Sequence, residues 1–548
     1  MKKSAWFGFC GGLLAVSMIA GVTIPSGAVG AAAGPLFHTA DRCAVCHNGL
    51  TTPGGENASI GTDWQPSMMA NSSRDPYWHA AVRRETMDHP SAAADIENEC
   101  SICHMPMSHT EAGAVGDKLG VFDHLPAGRG LSRLDLLAAD GVSCTLCHQI
   151  QDKGLGGENS FTGGFVIDTA SPIGRRAIYG PYAIDQGRKT VMNSSSGFAP
   201  EEASHISGSE LCATCHTLYT HTLGADGKSI GRLPEQVPYL EWRHSGYRSV
   251  RGCPSCHMPA AEASTAISSV LGRPRERLAR HVFRAANLLM PRIFARYGAE
   301  LAVTAPLGEL DAAHRRTVEH LEREAAKLTI PRVSMDSRRV EAEVSIRSLA
   351  GHKLPSAYPS RRVWIHFTVR DRNKKVLFES GALMPDGSIR GNDNDADDGR
   401  FEPHYNEVDD PEKVQIYEAV MVDADGRPTT GLLTGFRYVK DNRLLPMGFD
   451  KTTASEDIAA QGDARRDDDF RAGEDRIRYF VKLREGLDSC TVQAELWYQP
   501  IGYRWAQNLR LRKAEETDRF VSYYESMAKV SAIILARAES TVRNGSRP

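Results

Sequence analysis

The sequence predicts an α+β multidomain protein, with a helix-and-loop N-terminal half, an antiparallel β-sandwich after it and a C-terminal helix. Three observations carry this. Residues 34 to about 290 are broken by Gly, Pro, Ser and Asn and hold few long periodic segments. Beyond Ile330 apolar residues recur at every second position. Residues 513 to 538 return to helical spacing. A chain of 548 residues has room for two or three domains. Its net charge of -3 excludes the strongly basic face that nucleic acid would need.

Residues 1–33 read as a signal peptide. Met1-Lys2-Lys3 leads into an apolar run from Ala5 to about Ile24, and small residues follow through Gly34. Cleavage is expected after Ala31-Ala32-Ala33, with Ser26-Gly27-Ala28 as the alternative site. Cys10 would leave with the signal. No later segment has the length and apolarity of a membrane span, so the mature chain is expected to be soluble and exported, in the periplasm or on the surface of a bacterium.

Residues 34–300 hold five repeats of one pattern: Cys43-Ala-Val-Cys46-His47, Cys100-Ser-Ile-Cys103-His104, Cys144-Thr-Leu-Cys147-His148, Cys212-Ala-Thr-Cys215-His216 and Cys253-Pro-Ser-Cys256-His257. Residue frequencies alone would give on the order of 0.01 such motifs. Cysteines at i and i+3 share one side of a helical turn, where both sulfurs can reach the vinyl groups of one porphyrin. The histidine that follows sets an imidazole under the iron. Disulfides would not require a histidine after every second cysteine, and zinc sites built from paired CxxC units cannot use an odd number of them. The expectation is five covalently bound haem c groups, which makes this a pentahaem domain with the haems as its core. Cys490 is expected to be a buried structural thiol.

Fourteen further histidines are available as second axial ligands, and their density near the motifs favours bis-histidine haems. His109, His205 and His281 lead the expectation. His38, His124, His221 and His244 follow. Met68 and Met69 could supply a thioether but are expected to pack in the core.

Several phrases carry a family resemblance: Cys103-His-Met-Pro, Asp140-Gly-Val-Ser-Cys-Thr-Leu-Cys-His148, Ile178-Tyr-Gly-Pro-Tyr182, Pro234-Glu-Gln-Val-Pro-Tyr-Leu-Glu-Trp242 and Cys256-His-Met-Pro259. Over residues 36 to 290 the chain resembles bacterial multihaem cytochromes c, the relatives of the tetrahaem cytochrome of ammonia oxidisers and of pentahaem nitrite reductase. The resemblance implies stacked haems, with the second and third, and the fourth and fifth, as close pairs. It also has limits. The nitrite reductase carries lysine in its catalytic motif, whereas all five motifs here end in histidine, which disfavours that reaction. The tetrahaem cytochrome lacks the long C-terminal extension seen here.

Residues 301–330 are expected to connect the halves as a helix over 307–329, with His314 and His320 on its solvated side. Residues 331–510 form the β-sandwich, immunoglobulin-like in outline. Its strands are read at 340–346, 363–370, 414–422, 436–439, 477–483 and 492–498. The segment from Gly351 to Trp364 resembles one in β-domains attached to some multihaem cytochromes. There His352 either reaches across to a haem or sits partly buried in a fixed turn. The acidic stretch Asn392 to Asp398 raises calcium, but Asp398 and His404 stand where an EF-hand loop needs glycine and glutamate, so a solvated loop is expected. Residues 511–548 close the chain as an amphipathic helix and tail.

The function expected is electron transfer through five haems in periplasmic or cell-surface respiration, rather than catalysis. Other redox proteins would be donor and acceptor, and a membrane complex could be the docking place. One alternative is a multihaem oxidoreductase with one open-coordination haem acting on a small nitrogen or sulfur compound. Another is a subunit of an extracellular cytochrome filament.

Overall fold

The computed structural model describes residues 34–545. The stretch read as the signal peptide, with Cys10, lies outside them. Among the described residues no helix is long and apolar enough to cross a membrane.

The N-terminal half is built of short helices and loops. Those used below are α1 (Asp41–His47), α2 (Pro76–Asp88), α3 (Ala93–His104), α4 (Cys144–Cys147), α5 (Ser209–His216), α6 (Pro238–Arg243) and α7 (Cys253–His257). Asp75 starts α2 by accepting from the backbone N–H groups of Tyr77 and Trp78, with Pro76 at the first position. Each CxxCH segment is helical, yet α1, α4, α5 and α7 have only four to eight residues. Helices that short do not persist by propensity and must be held by what they pack on. The apolar clusters here are small, one around Trp78, Val82, Met105 and Val121, another around Phe37, Leu137 and Leu146.

The helix α8 (Leu307–Glu324) leads into the β-rich half. Its principal strands are β1 (Ala326–Met335), β2 (Arg339–Ser348), β3 (Arg362–Asp371), β4 (Val376–Ser380), β5 (Ile416–Tyr417), β6 (Glu474–Lys482), β7 (Ser489–Gln499) and β8 (Ile533–Arg543). One sheet runs β4-β3-β7-β8, with β5 also paired to β3. The other runs from a short strand at Glu407–Val408 through β6 and β2 to β1. That short strand pairs with β6 in parallel; the other pairings in these two sheets are antiparallel. Period-two alternation sends Val340, Ala342, Val344 and Ile346 of β2 into the same core as Val363, Ile365, Phe367 and Val369 of β3. Phe367 and Tyr479 stack across it, with ring centroids 3.7 Å apart and planes 12° from parallel.

Two expectations need correction. The described residues close on a strand: the last helix, α9 (Glu515–Met527), is followed by β8, which pairs with β7 over ten register positions. Ile533, Leu535 and Val542 belong to a β pattern that the aromatic spacing of Phe520, Tyr524 and Met527 obscured. The helix of the connecting segment likewise stops at Glu324, and β1 begins at Ala326, inside the stretch read as helix.

The halves are locked together through α2. Arg83 forms a forked pair with Glu516 at 2.9 and 3.0 Å, and Arg512 reaches Asp88 at 2.6 Å. Glu85 accepts from the backbone N–H groups of Leu432 and Leu433.

A cavity lined by five CxxCH segments

All fifteen cysteines and histidines of the five motifs line one continuous cavity of about 1480 Å³. Ordinary small-molecule pockets run to roughly 300–1,000 Å³. The cavity wall is mostly apolar, as a large non-polar occupant would need.

Backbone carbonyls fix the tautomer of most motif histidines. In four motifs the ring Nδ1 faces a backbone carbonyl: His47 to Ile267 at 2.6 Å, His104 to Ser72 at 3.2 Å, His148 to Tyr179 at 2.6 Å and His257 to Arg284 at 2.6 Å. A carbonyl can only accept, so each Nδ1 carries the proton and each Nε2 keeps a free lone pair. Burial pushes His104 and His257 down to about 4, and lowers His148 and His216, so these rings are neutral at neutral pH. Trp78 lies flat on His104, with centroids 4.3 Å apart and planes 4° from parallel.

All eleven described cysteines are free thiols. The closest approaches between motifs join Cys43 to Cys144, Cys103 to Cys215 and Cys212 to Cys253. These approaches join the first motif to the third, the second to the fourth and the fourth to the fifth.

Of the histidines expected as second ligands, His281 alone lines the cavity. Its centroid lies 6.4 Å from that of His148, with planes 20° from parallel, and its Nδ1 faces Ala279 O at 3.2 Å. The other six sit outside the cavity wall. His109 bonds Ser101 Oγ, His124 bonds Asp135, and His205 turns Nε2 to Ile150 O. His221 meets Ser229 Oγ, and His244 turns Nε2 to Asp450 O in the β-rich half. His38 packs edge-on against Phe198, with its Nε2 buried and unpartnered. Met68 and Met69 line the cavity while packing against apolar clusters.

Two further histidines line the cavity: His320, from α8, expected on a solvated face, and His352, from the loop between β2 and β3, for which reaching a haem and sitting in a fixed turn were both open. Both approach His257, at centroid distances of 6.5 Å with planes 65° apart and 6.2 Å with planes 12° apart. His314 faces Leu288 O instead. No local periodicity marks either histidine, because their position depends on the docking of the halves.

Away from the cavity, His404, Asp467 and Asp475 bring potential ligand atoms within 4.8 Å of one another. His404 Nδ1 faces the amide nitrogens of Gln415 and Asn442. Those amides are fixed by Tyr405 N–H on Gln415 Oε1 and Glu418 N–H on Asn442 Oδ1. Nδ1 is therefore an acceptor, and Nε2 donates to Asp467 Oδ2 at 3.0 Å, which makes this a closed buried network. In the acidic stretch, Asp395 is buried rather than solvated, paired with Arg362 at 2.8 Å.

No protein-family model matches the chain. No curated protein matches it in sequence. In structure it is similar to a penta-heme cytochrome c552 from Thermochromatium tepidum, with a TM-score of 0.54 and 15% identity, covering 92% of this chain and 99% of that one. At that identity the likeness is one of fold, and it extends over both halves.

Proposed function

We propose that this chain is an exported multihaem c-type cytochrome that binds five haem c groups covalently and passes electrons among them. One observation carries the reading: five complete CxxCH sets, each helical and four with Nε2 left free by a carbonyl on Nδ1, face one cavity larger than an ordinary small-molecule pocket. The penta-heme neighbour supports it. Each haem would be held by the two thiols and the histidine of its motif, and the group when bound supplies one-electron chemistry. The chain's own part is to orient the imidazoles, exclude water and fix the spacing of neighbouring sites. His281 is the proposed second ligand at the third motif, opposite His148. Other redox proteins would be the partners, in the periplasm or at the cell surface.

The test is a pyridine haemochrome assay with intact mass on the exported protein. Five haems per chain are expected. A colourless chain with no added mass would overturn the reading.

A second reading rests on a separate observation. Beyond the motif histidines, the described cavity wall offers only His281, His320 and His352 to five irons. An iron without a second imidazole could bind a small nitrogen or sulfur compound. A high-spin signal that responds to nitrite, hydroxylamine or sulfite would favour that catalytic role, and uniformly low-spin spectra would exclude it.

A further inference from the structure

We infer that His352, from the β-rich half, is the second axial ligand of the haem attached to Cys253 and Cys256, so that this iron is held jointly by the two halves of the chain. The inference rests on the haem-binding reading above.

Two imidazoles bonded through Nε2 to opposite sides of one iron, at metal–nitrogen lengths of about 2.0 Å, have centroids about 6 Å apart. His257 and His352 are 6.2 Å apart, with planes 12° from parallel. In both rings Nδ1 is already engaged, by Arg284 O at 2.6 Å and by Lys353 O at 3.0 Å. The free lone pair is thus Nε2 on each side. His320 also approaches His257, at 6.5 Å and 65°, but its Nδ1 is buried without a hydrogen bond; Glu324 lies 3.4 Å away and outside bonding geometry. Nothing fixes the tautomer of His320 as the carbonyl fixes that of His352.

The neighbours of His352 hold it in place. Glu241 of α6, between the fourth and fifth motifs, accepts from Lys353 N–H at 3.0 Å. Tyr247 donates to Leu349 O at 2.9 Å and Ser245 to Gly351 O at 3.2 Å. Lys353 Nζ is anchored on Asp441 at 2.6 Å. The residues just before and after His352 are thus tied to the haem-bearing half, which is the preorganisation an axial ligand requires.

The test uses the full chain with its export signal, matured in a host that attaches haem. His352→Ala should keep five haems by mass while one haem equivalent of low-spin signal converts to high spin, and added imidazole should restore it. His352→Met, close in volume and able to ligate, should keep six-coordination at that site and raise its potential. His320→Ala should leave the spectrum as it was. An unchanged spectrum in His352→Ala, or loss of the low-spin site in His320→Ala instead, overturns the assignment. A wild-type chain with fewer than five haems would instead defeat the reading beneath it, and mass alone separates the two failures.

Discussion

Lys353 places its ammonium 2.6 Å from Asp441 Oδ2, with no part of the lysine side chain exposed. Arg443 reaches the same carboxylate at 2.7 and 2.9 Å, and its other close neighbour is Glu241, at 2.9 Å as an ion pair rather than an aligned hydrogen bond. Two cations and two anions therefore meet where the halves join.

Removing one partner strands the others in low dielectric. Asp441→Asn should destabilise the protein by about 3–5 kcal/mol, read as a lower denaturant midpoint. Burial alone would raise Asp441, but Arg443 and Lys353 hold it down to about 2, below the ordinary 3.8. A depressed carboxyl stabilises the fold above its unfolded value and loses that contribution as pH falls through the folded one. About 2 kcal/mol should disappear between pH 4 and pH 2 in the wild type. The Asp441→Asn curve should be flatter over that window.

On the five-haem proposal, thioether formation would consume ten thiols and leave Cys490, which is buried with Sγ 3.8 Å from Met335 Sδ. The unfolded mature protein should react with one equivalent of thiol reagent, and the native protein should react slowly. Titration of many thiols would contradict covalent attachment.

His281→Met should raise the potential of a single haem and leave the count at five. A potential profile identical to wild type would show that His281 does not ligate.

Phe367→Ala should cost about 3–5 kcal/mol, because its ring stacks on Tyr479 across the shared core. A loss below 1 kcal/mol would mean that the two sheets are joined elsewhere.

What the sequence could show was whatever its chemistry writes locally. Cysteines three apart with histidine next announce themselves at any position, and so do the alternating valines of β2. His320 could not be picked out, since a lone histidine carries no period, and His352 was raised only by the resemblance of its segment; the place of both depends on Glu241, Tyr247 and α8 arriving from elsewhere. The end of the chain misled for a different reason. A short apolar run at 533–535 fits helix or strand equally, and pairing with β7 decides it.

The carbonyl that fixes the tautomer of His47 belongs to Ile267, 220 positions later in the chain. At about 5–20 residues per second, a ribosome needs on the order of 10–40 s to make the intervening stretch. The first motif emerges long before its imidazole can be aligned. On the five-haem proposal, the sulfurs of the first motif are made well before the carbonyl that aligns its imidazole.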